Sequence, residues 1–226
     1  MKIKELFRQN SVFGSLPEWK QDALLQQAVN RQYQKGEYLT YAGDIWPFLF
    51  LLAEGSITAV KESSEGRSLV ATSFEQGEVF WGVSFFHPDL PMPVALKVDT
   101  SSRLYLWSRD QLLPVLLENG QVSWELNRLM VRRMLRASEI VEELAFQPVA
   151  GRLARLLIEY PGQATSGPIA RSLTLDDMAA RIGSTREMVC RFLQRFADEE
   201  LIKITRTEFE ITDRDRLIDM AQKVRG

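Results

Sequence analysis

The chain has 226 residues, 45% of them apolar and 26% charged, with a formal net charge of −2. That length allows one large domain or two modest ones, each with a real core, and the slight acidity gives no chain-wide signal for nucleic acid, although useful charge can be local. One cysteine and one histidine exclude an internal disulfide and a cysteine-held zinc or iron–sulfur site. They also leave little material for a catalytic dyad, so neither an enzyme nor a metal site is expected. No stretch approaches the apolar length of a membrane span, and MKIKELFRQN lacks the apolar run of a signal peptide, so a cytoplasmic protein is expected.

In chain order, the spacing first predicts short helices over 5–29, where Phe7, Phe13, Leu16, Trp19, Leu24 and Leu25 are apolar and Pro17 opens a turn. From about Tyr33 to Ser108 the texture changes to short β-rich runs: 37–41, 48–52, 56–61, 69–74, 95–98 and 103–107. Turns containing Gly36, Gly43, Gly55, Gly66 and Gly77 separate them. Many short strands at that spacing point to an all-β barrel or a double-sheet roll, with Glu65-Gly66 as a hairpin tip. Residues 114–145 read as one long helical pattern. Leu126, Met130, Arg133, Ala137, Ile140 and Leu144 recur there at three- and four-residue steps, with Met134 and Val141 alongside. This stripe suits a two-stranded coiled-coil seam, with packing on the chain's own domain as the alternative. Gln147-Pro148 breaks the pattern and reads as an interdomain hinge. Beyond it, 151–160 looks helical, 161–168 is a Gly/Pro/Ser/Thr loop, and 201–205 and 208–212 look like two short strands of a wing.

Between the loop and the wing lies the most informative stretch, LDDMAARIGSTREMVCRFLQ at 175–194, which fits a helix-turn-helix. Thr174 caps the first helix, with Asp177 three residues on. Met178, Ala179 and Ile182 lie on one face, and the small Ala179 lets a second helix cross closely. Gly183 sits where the turn calls for a positive φ. Ser184 is expected to open the second helix, with Glu187 as a capping-box partner. At about 100° per residue, Met188, Val189, Phe192, Leu193 and Phe196 share one apolar arc, while Arg186, Glu187, Cys190, Arg191 and Gln194 share the other. Arg can fork onto guanine, Glu can accept from cytosine and Gln can pair with adenine, so the polar arc fits base reading. The alternative is an ordinary amphipathic helix with a solvated face. From 181 to 195, four arginines (Arg181, Arg186, Arg191 and Arg195) stand against Glu187 alone. Cys190 is either a thiol whose oxidation would block DNA binding or a small residue tolerated beside the backbone.

Together these pieces resemble the Crp/Fnr family of bacterial transcription regulators across nearly the whole chain. KGEYLTYAGD (35–44), FLFLLAEGSITAV (48–60) and EGRSLVATSFEQGEVF (65–80) resemble a cyclic-nucleotide-binding β-roll. The long helix, ending in LAFQPVAGRLARLL (144–157), resembles the family's dimerisation helix, and STREMVCR (184–191) is similar to the recognition-helix start of the cAMP receptor branch. The resemblance implies an α+β fold: a cyclic-nucleotide-binding-like β-roll sensor domain (1–113), a dimerisation helix (114–146) and a C-terminal winged helix-turn-helix DNA-binding domain (147–226). It implies a homodimer on a palindromic double-stranded DNA site with half-sites of the TGTGA class, each recognition helix in a major groove about one helical turn apart. Thr174 would contact a phosphate, and Arg186, Glu187 and Arg191 would contact base edges, beside Ser184, Thr185 and Cys190. RNA polymerase is a further partner if the regulator activates.

The effector contacts depart from the family pattern. Cyclic-nucleotide readers carry a Gly-Glu pair after the strand, for the ribose, and later an Arg followed by Ser or Thr, for the phosphate. Here Gly77 and Glu78 are kept, but Trp81-Gly82 or Gly82-Val83 stands where Gly-Glu is expected. Residues 90–98 contain no Arg, and Ala137-Ser138 stands in place of a Thr-Ser pair. An anionic phosphate in an apolar pocket without a cation is costly. The resemblance therefore points to an effector other than cAMP or cGMP, and no cofactor is assigned. A pocket would draw on Gly77, Glu78, Phe80, Trp81, Gly82, Phe85 and Ser138, with Phe86 and Met92 near it. Alternatively these aromatics are barrel core over a vestigial site, which leaves a constitutive DNA binder. A third reading is a small-molecule-binding module whose DNA domain is non-functional.

Overall fold

The run from Phe48 to Ala53 is apolar at consecutive positions, which in a strand requires cover on both faces. A computed structural model describing residues 3–160, 167–170, 172–205 and 207–222 shows both covers. Leu49, Leu51 and Ala53 enter one apolar cluster with Phe7, Phe13, Trp107 and Leu126. Phe50 and Leu52 enter another with Ile57, Phe74, Leu96 and Leu104. The two-residue period of the strand divides the run between the two cores.

Contacts divide the chain into two units, Met1–Lys61 with Ala71–Arg136, and Glu62–Val70 with Ala137–Gly226. In chain order the first half carries α1 (Ile3–Gln9), α2 (Glu18–Gln27), β1 (Val29–Tyr33), β2 (Tyr38–Thr40), β3 (Phe48–Glu62), β4 (Ser68–Phe74), β5 (Val79–Trp81), α3 (Val83–Phe86), β6 (Ala95–Ser108), α4 (Arg109–Glu118) and α5 (Gly120–Phe146). The sheet runs β1-β6-β3-β4, with β2 also on β6 and β5 on β3. Residues of α1, α2, α4 and the start of α5 build the outer cluster. There Phe7 stacks on Phe13 at 4.4 Å, and the Trp107 indole N–H donates to the Leu24 carbonyl at 2.8 Å. The buried indole thus has its partner.

Several expected boundaries move. The runs 48–52 and 56–61 are one strand, β3, and 95–98 with 103–107 are one strand, β6. Gly55 marks a region of shifted register between β3 and β6, which bends the strand without ending it. β1 falls where helix was expected to end. Four of its five residues (VNRQY) are exposed, so no apolar alternation announced it. The pattern 114–145 is two helices parted at Asn119, and the first starts at a Ser108–Gln111 capping box.

The second unit holds the last turns of α5, then α6 (Val149–Ile158), β7 (Ile169–Ala170), α7 (Leu175–Ile182), α8 (Arg186–Asp198), β8 (Ile202–Ile204), β9 (Glu208–Ile211) and α9 (Arg214–Gln222). Its core joins Leu153 and Leu157 to Met178, Ile182, Val189, Leu193, Phe196, Phe209 and Leu217. The two expected wing strands are β8 and β9, and β7 adds a third on the free side of β9. Most of the expected loop at 161–168 lies outside the described residues. The division between the units falls inside α5, between Arg136 and Ala137, which places Gln147-Pro148 within the second unit. Among the described residues no helix is long and apolar enough to cross a membrane.

Candidate nucleic-acid interface

Two short helices and a three-residue turn build the interface. Thr174 opens α7 with a full capping box: its hydroxyl accepts from the Asp177 N–H at 3.1 Å, and the Asp177 carboxylate accepts from the Thr174 N–H at 2.9 Å. Met178, Ala179 and Ile182 are buried, as their spacing predicts. Gly183 then takes φ 59° and ψ 50°, the left-handed conformation that ends a helix cheaply only at glycine. A Cβ at Gly183 would also lie 2.5 Å from a Leu144 methyl carbon, which would have to move aside.

The turn corrects one expectation. Ser184 does not open the second helix, because its N–H returns 2.9 Å to the Ala179 carbonyl and closes the first. Thr185 is the cap: its hydroxyl accepts from the Met188 N–H at 3.3 Å. Glu187 is therefore not the third helical residue and forms no capping box. Its exposed carboxyl is instead held below the usual carboxylate range by its own backbone N–H, then by the Thr185 hydroxyl and by Arg186. It stands as a charged acceptor.

On α8, Val189, Leu193 and Phe196 are buried while Arg186, Glu187, Cys190, Arg191 and Gln194 are exposed. The expected polar arc is thus a continuous surface. Arg186 pairs with Asp176 of α7 at 2.8 Å, and both side chains are more than half exposed. Such a pair is worth under about 1 kcal/mol, so a guanine or phosphate can replace the carboxylate at little cost. Arg191 touches the Met188 sulfur, and its Cζ lies 5.9 Å from the Phe192 ring centre. Thr174 is exposed at the N-terminus of α7, where backbone N–H groups suit a phosphate.

The residues expected around an effector from β5 and α3 divide between the two clusters of the first unit. β5 alternates: Val79 and Trp81 pack in the outer cluster, Phe80 on the roll interior. Phe85 is buried in the outer cluster and Met92 in the interior one, while Phe86 is exposed. Gly77 turns the chain before β5, and the Glu78 carboxylate accepts from the Glu75 N–H at 2.8 Å, closing its own turn. A Cβ on Gly82 would meet the Trp46 carbonyl oxygen at 1.7 Å, so a glutamate at this position has no room. Ser138 lies exposed on α5 in the second unit.

With this geometry in place, comparison with known proteins is specific. A cyclic nucleotide-binding domain model matches residues 30–119, and a Crp-like helix-turn-helix domain model matches residues 151–220. The chain belongs to the Crp/Fnr family of transcription regulators. It is 24% identical, over 97% of its length and all of the relative's, to the CRP-like cAMP-activated global transcriptional regulator of Mycobacterium tuberculosis. It is 26% identical to the cAMP-activated regulator Vfr of Pseudomonas aeruginosa, over 81% of this chain and 89% of that one. A solved structure of the c-di-GMP-responsive regulator CLP of Xanthomonas campestris shares the fold with a TM-score of 0.75 at 21% identity, over 84% of this chain and 96% of that one. Relatives within one fold thus carry different effectors in their names.

The surroundings of two arginines of this Crp/Fnr regulator escape sequence reasoning. Arg152 of α6 is buried, and its guanidinium donates to the carbonyls of Ile182 (2.7 Å) and Gly183 (3.4 Å) in the turn and of Gln147 (2.6 Å) and Glu143 (3.3 Å) at the end of α5. Those carbonyls belong to two helix C-termini, where a cation is favoured. Beside it Arg155 pairs with Glu143 at 2.8 Å. Arg133 of α5, read as part of a coiled-coil seam, instead lies against the β-roll, its Nη2 2.5 Å from the Val79 carbonyl. A cation of α5 thus lies beside β5, a contact that the reading of 90–98 did not consider. A lone polar residue on an apolar helical stripe was the available signal in both cases.

Proposed function

We propose that this Crp/Fnr regulator acts as a homodimer on a two-fold symmetric DNA site, with α8 of each protomer in successive major grooves. Arg186, Glu187 and Arg191 contact base edges, Thr174 contacts a phosphate, and Ser184, Thr185 and Cys190 line the approach. The observation that carries this reading is the solvent-facing polar arc of α8 set on a buried apolar arc. The dimer rests on α5. Its inner stripe is used within the chain, with Leu126 in the outer core and Arg133 against the roll. A second stripe faces out: Trp124, Val131, Ser138 and Ala145 recur every seven residues, with Met134 and Val141 three after Val131 and Ser138. All six are exposed, and the four large ones at least half so. That seven-residue period is a coiled-coil seam, shifted around the helix from the stripe the sequence suggested.

The effector is not a cyclic mononucleotide: in the Trp81-Gly82 register Gly82 leaves no room for the ribose-binding carboxylate, and in the Gly82-Val83 register an apolar valine stands in its place. A second reading, constitutive DNA binding, is favoured by the rings of Phe50, Phe74 and Phe80 packed inside the roll. The protein acts in the cytoplasm, and RNA polymerase is its partner where it activates. Selection from a random duplex pool, with sedimentation of the free protein, tests the proposal. The expected result is a dimer that enriches a symmetric motif with half-sites about one helical turn apart. Val141→Asp should raise the dimer dissociation constant by at least about tenfold, since the carboxylate would be buried unpaired. A monomer, or an asymmetric motif, would count against the reading.

A further inference from the structure

The guanidinium of Arg133 is surrounded in a way that the exposed arginines among the described residues are not. Its Cζ lies 4.7 Å from the ring centre of Phe74, 4.9 Å from that of Trp81 and 5.2 Å from that of Phe80. Three rings within 6 Å of one cation form a cage, and each presents the negative side of its quadrupole when the cation sits over its face. The walls support one another: Phe74 and Phe80 are 4.2 Å apart, and Phe80 and Trp81 stack at 6.2 Å. The Val79 carbonyl, from the strand between two of these walls, accepts the Nη2 hydrogen bond and fixes the plane of the group. Glu78 supplies a nearby negative charge. The cage therefore joins β4, β5 and α5, and its residues Phe74, Val79, Phe80, Trp81 and Arg133 all lie in the first unit.

We propose that Arg133 is the resident ligand of the β-roll, and that Phe74, Phe80 and Trp81 with the Val79 carbonyl form a site for a guanidinium cation. Burial pushes the Arg133 pKa down to about 10, against the pull of Glu78, and the side chain still remains a cation at neutral pH. The chain thus supplies from its own helix the charged group that holds α5 against the roll. No small molecule is required for that contact. For its regulatory meaning the proposal rests on the reading of the roll as a sensor; the cage itself does not.

Chemical rescue tests it on the full-length protein. Arg133→Ala empties the cage and should lower Tm by about 5 °C. Guanidinium chloride at about 10 mM should restore at least half of the loss and shift tryptophan emission, while an equal concentration of sodium chloride should do neither. In a Trp81→Phe background the emission shift should disappear. An unchanged Tm in Arg133→Ala, or equal rescue by sodium chloride, would overturn the cage. If Arg133→Ala does not fold, Arg133→Lys and Arg133→Met decide: a cation site predicts the lysine variant to melt about 2 °C above the methionine one, and equal or reversed values overturn it. Affinity for a selected DNA site is read separately. A loss of at least tenfold in Arg133→Ala, regained with guanidinium, supports Arg133 as an internal ligand of the sensor. Rescue of Tm with unchanged DNA affinity would leave the cage standing and overturn that role.

Discussion

The recognition helix and the β-roll interior treat their polar groups in opposite ways. On α8, Arg186, Glu187, Cys190, Arg191 and Gln194 stay exposed, and the one carboxylate paired with Arg186 is itself solvated. At the roll, Arg133 of α5 lies part-buried among three rings and a carbonyl, and the Glu78 carboxylate closes its own turn. A reading surface keeps its donors and acceptors loosely held so that DNA can exchange for water or a weak ion pair. An interior has to satisfy each polar group itself, since an unpartnered one costs about 1–3 kcal/mol. The unit that carries α8 therefore presents its chemistry, and the β-roll has turned its own upon itself.

The sharpest way to break that distinction lies within the DNA-binding unit, which has a polar group of the interior kind as well. Arg152 is buried and spends its donors on backbone carbonyls of the scaffold. Arg152→Ala leaves four carbonyls to be satisfied anew and should destabilise the unit by about 3 kcal/mol, lowering the urea midpoint, while the base preference of the remaining folded protein is unchanged. A normal midpoint with altered base preference would move Arg152 onto the reading surface. A smaller effect separates the two residues of the turn. Thr185→Ala should cost about 1 kcal/mol as a lost helix cap, whereas Ser184→Ala should stay within about 0.5 kcal/mol. The reverse order in thermal melts would return the start of α8 to Ser184.

The same contrast explains what the sequence made legible. α7 and α8 announce themselves because their signals are local: a cap, a left-handed glycine and an apolar arc all lie within 25 residues. Only the cap was displaced, by one residue, because Ser184 and Thr185 are both good caps and the choice depends on which N–H closes the preceding helix. The roll was legible as a class, through its glycines and short apolar runs. Its long strands were not, since a bulge at Gly55 and a turn look alike in sequence. α5 carries two apolar stripes, and periodicity does not say which of them is used within the chain. Arg133 and Arg152 depend on partners 54 and 31 residues away, Val79 and Gly183, so no local pattern could assign them.

The central claim is that α8 reads bases with its exposed arc. Binding-site selection on Arg186→Ala and Arg191→Ala, each beside the wild-type protein at matched salt, tests it most directly. Each variant should lose about 1–3 kcal/mol of affinity and relax the preference at one base position in each half-site. Unchanged affinity with an unchanged motif would show that α8 is an ordinary amphipathic helix and that the specificity of this regulator lies elsewhere.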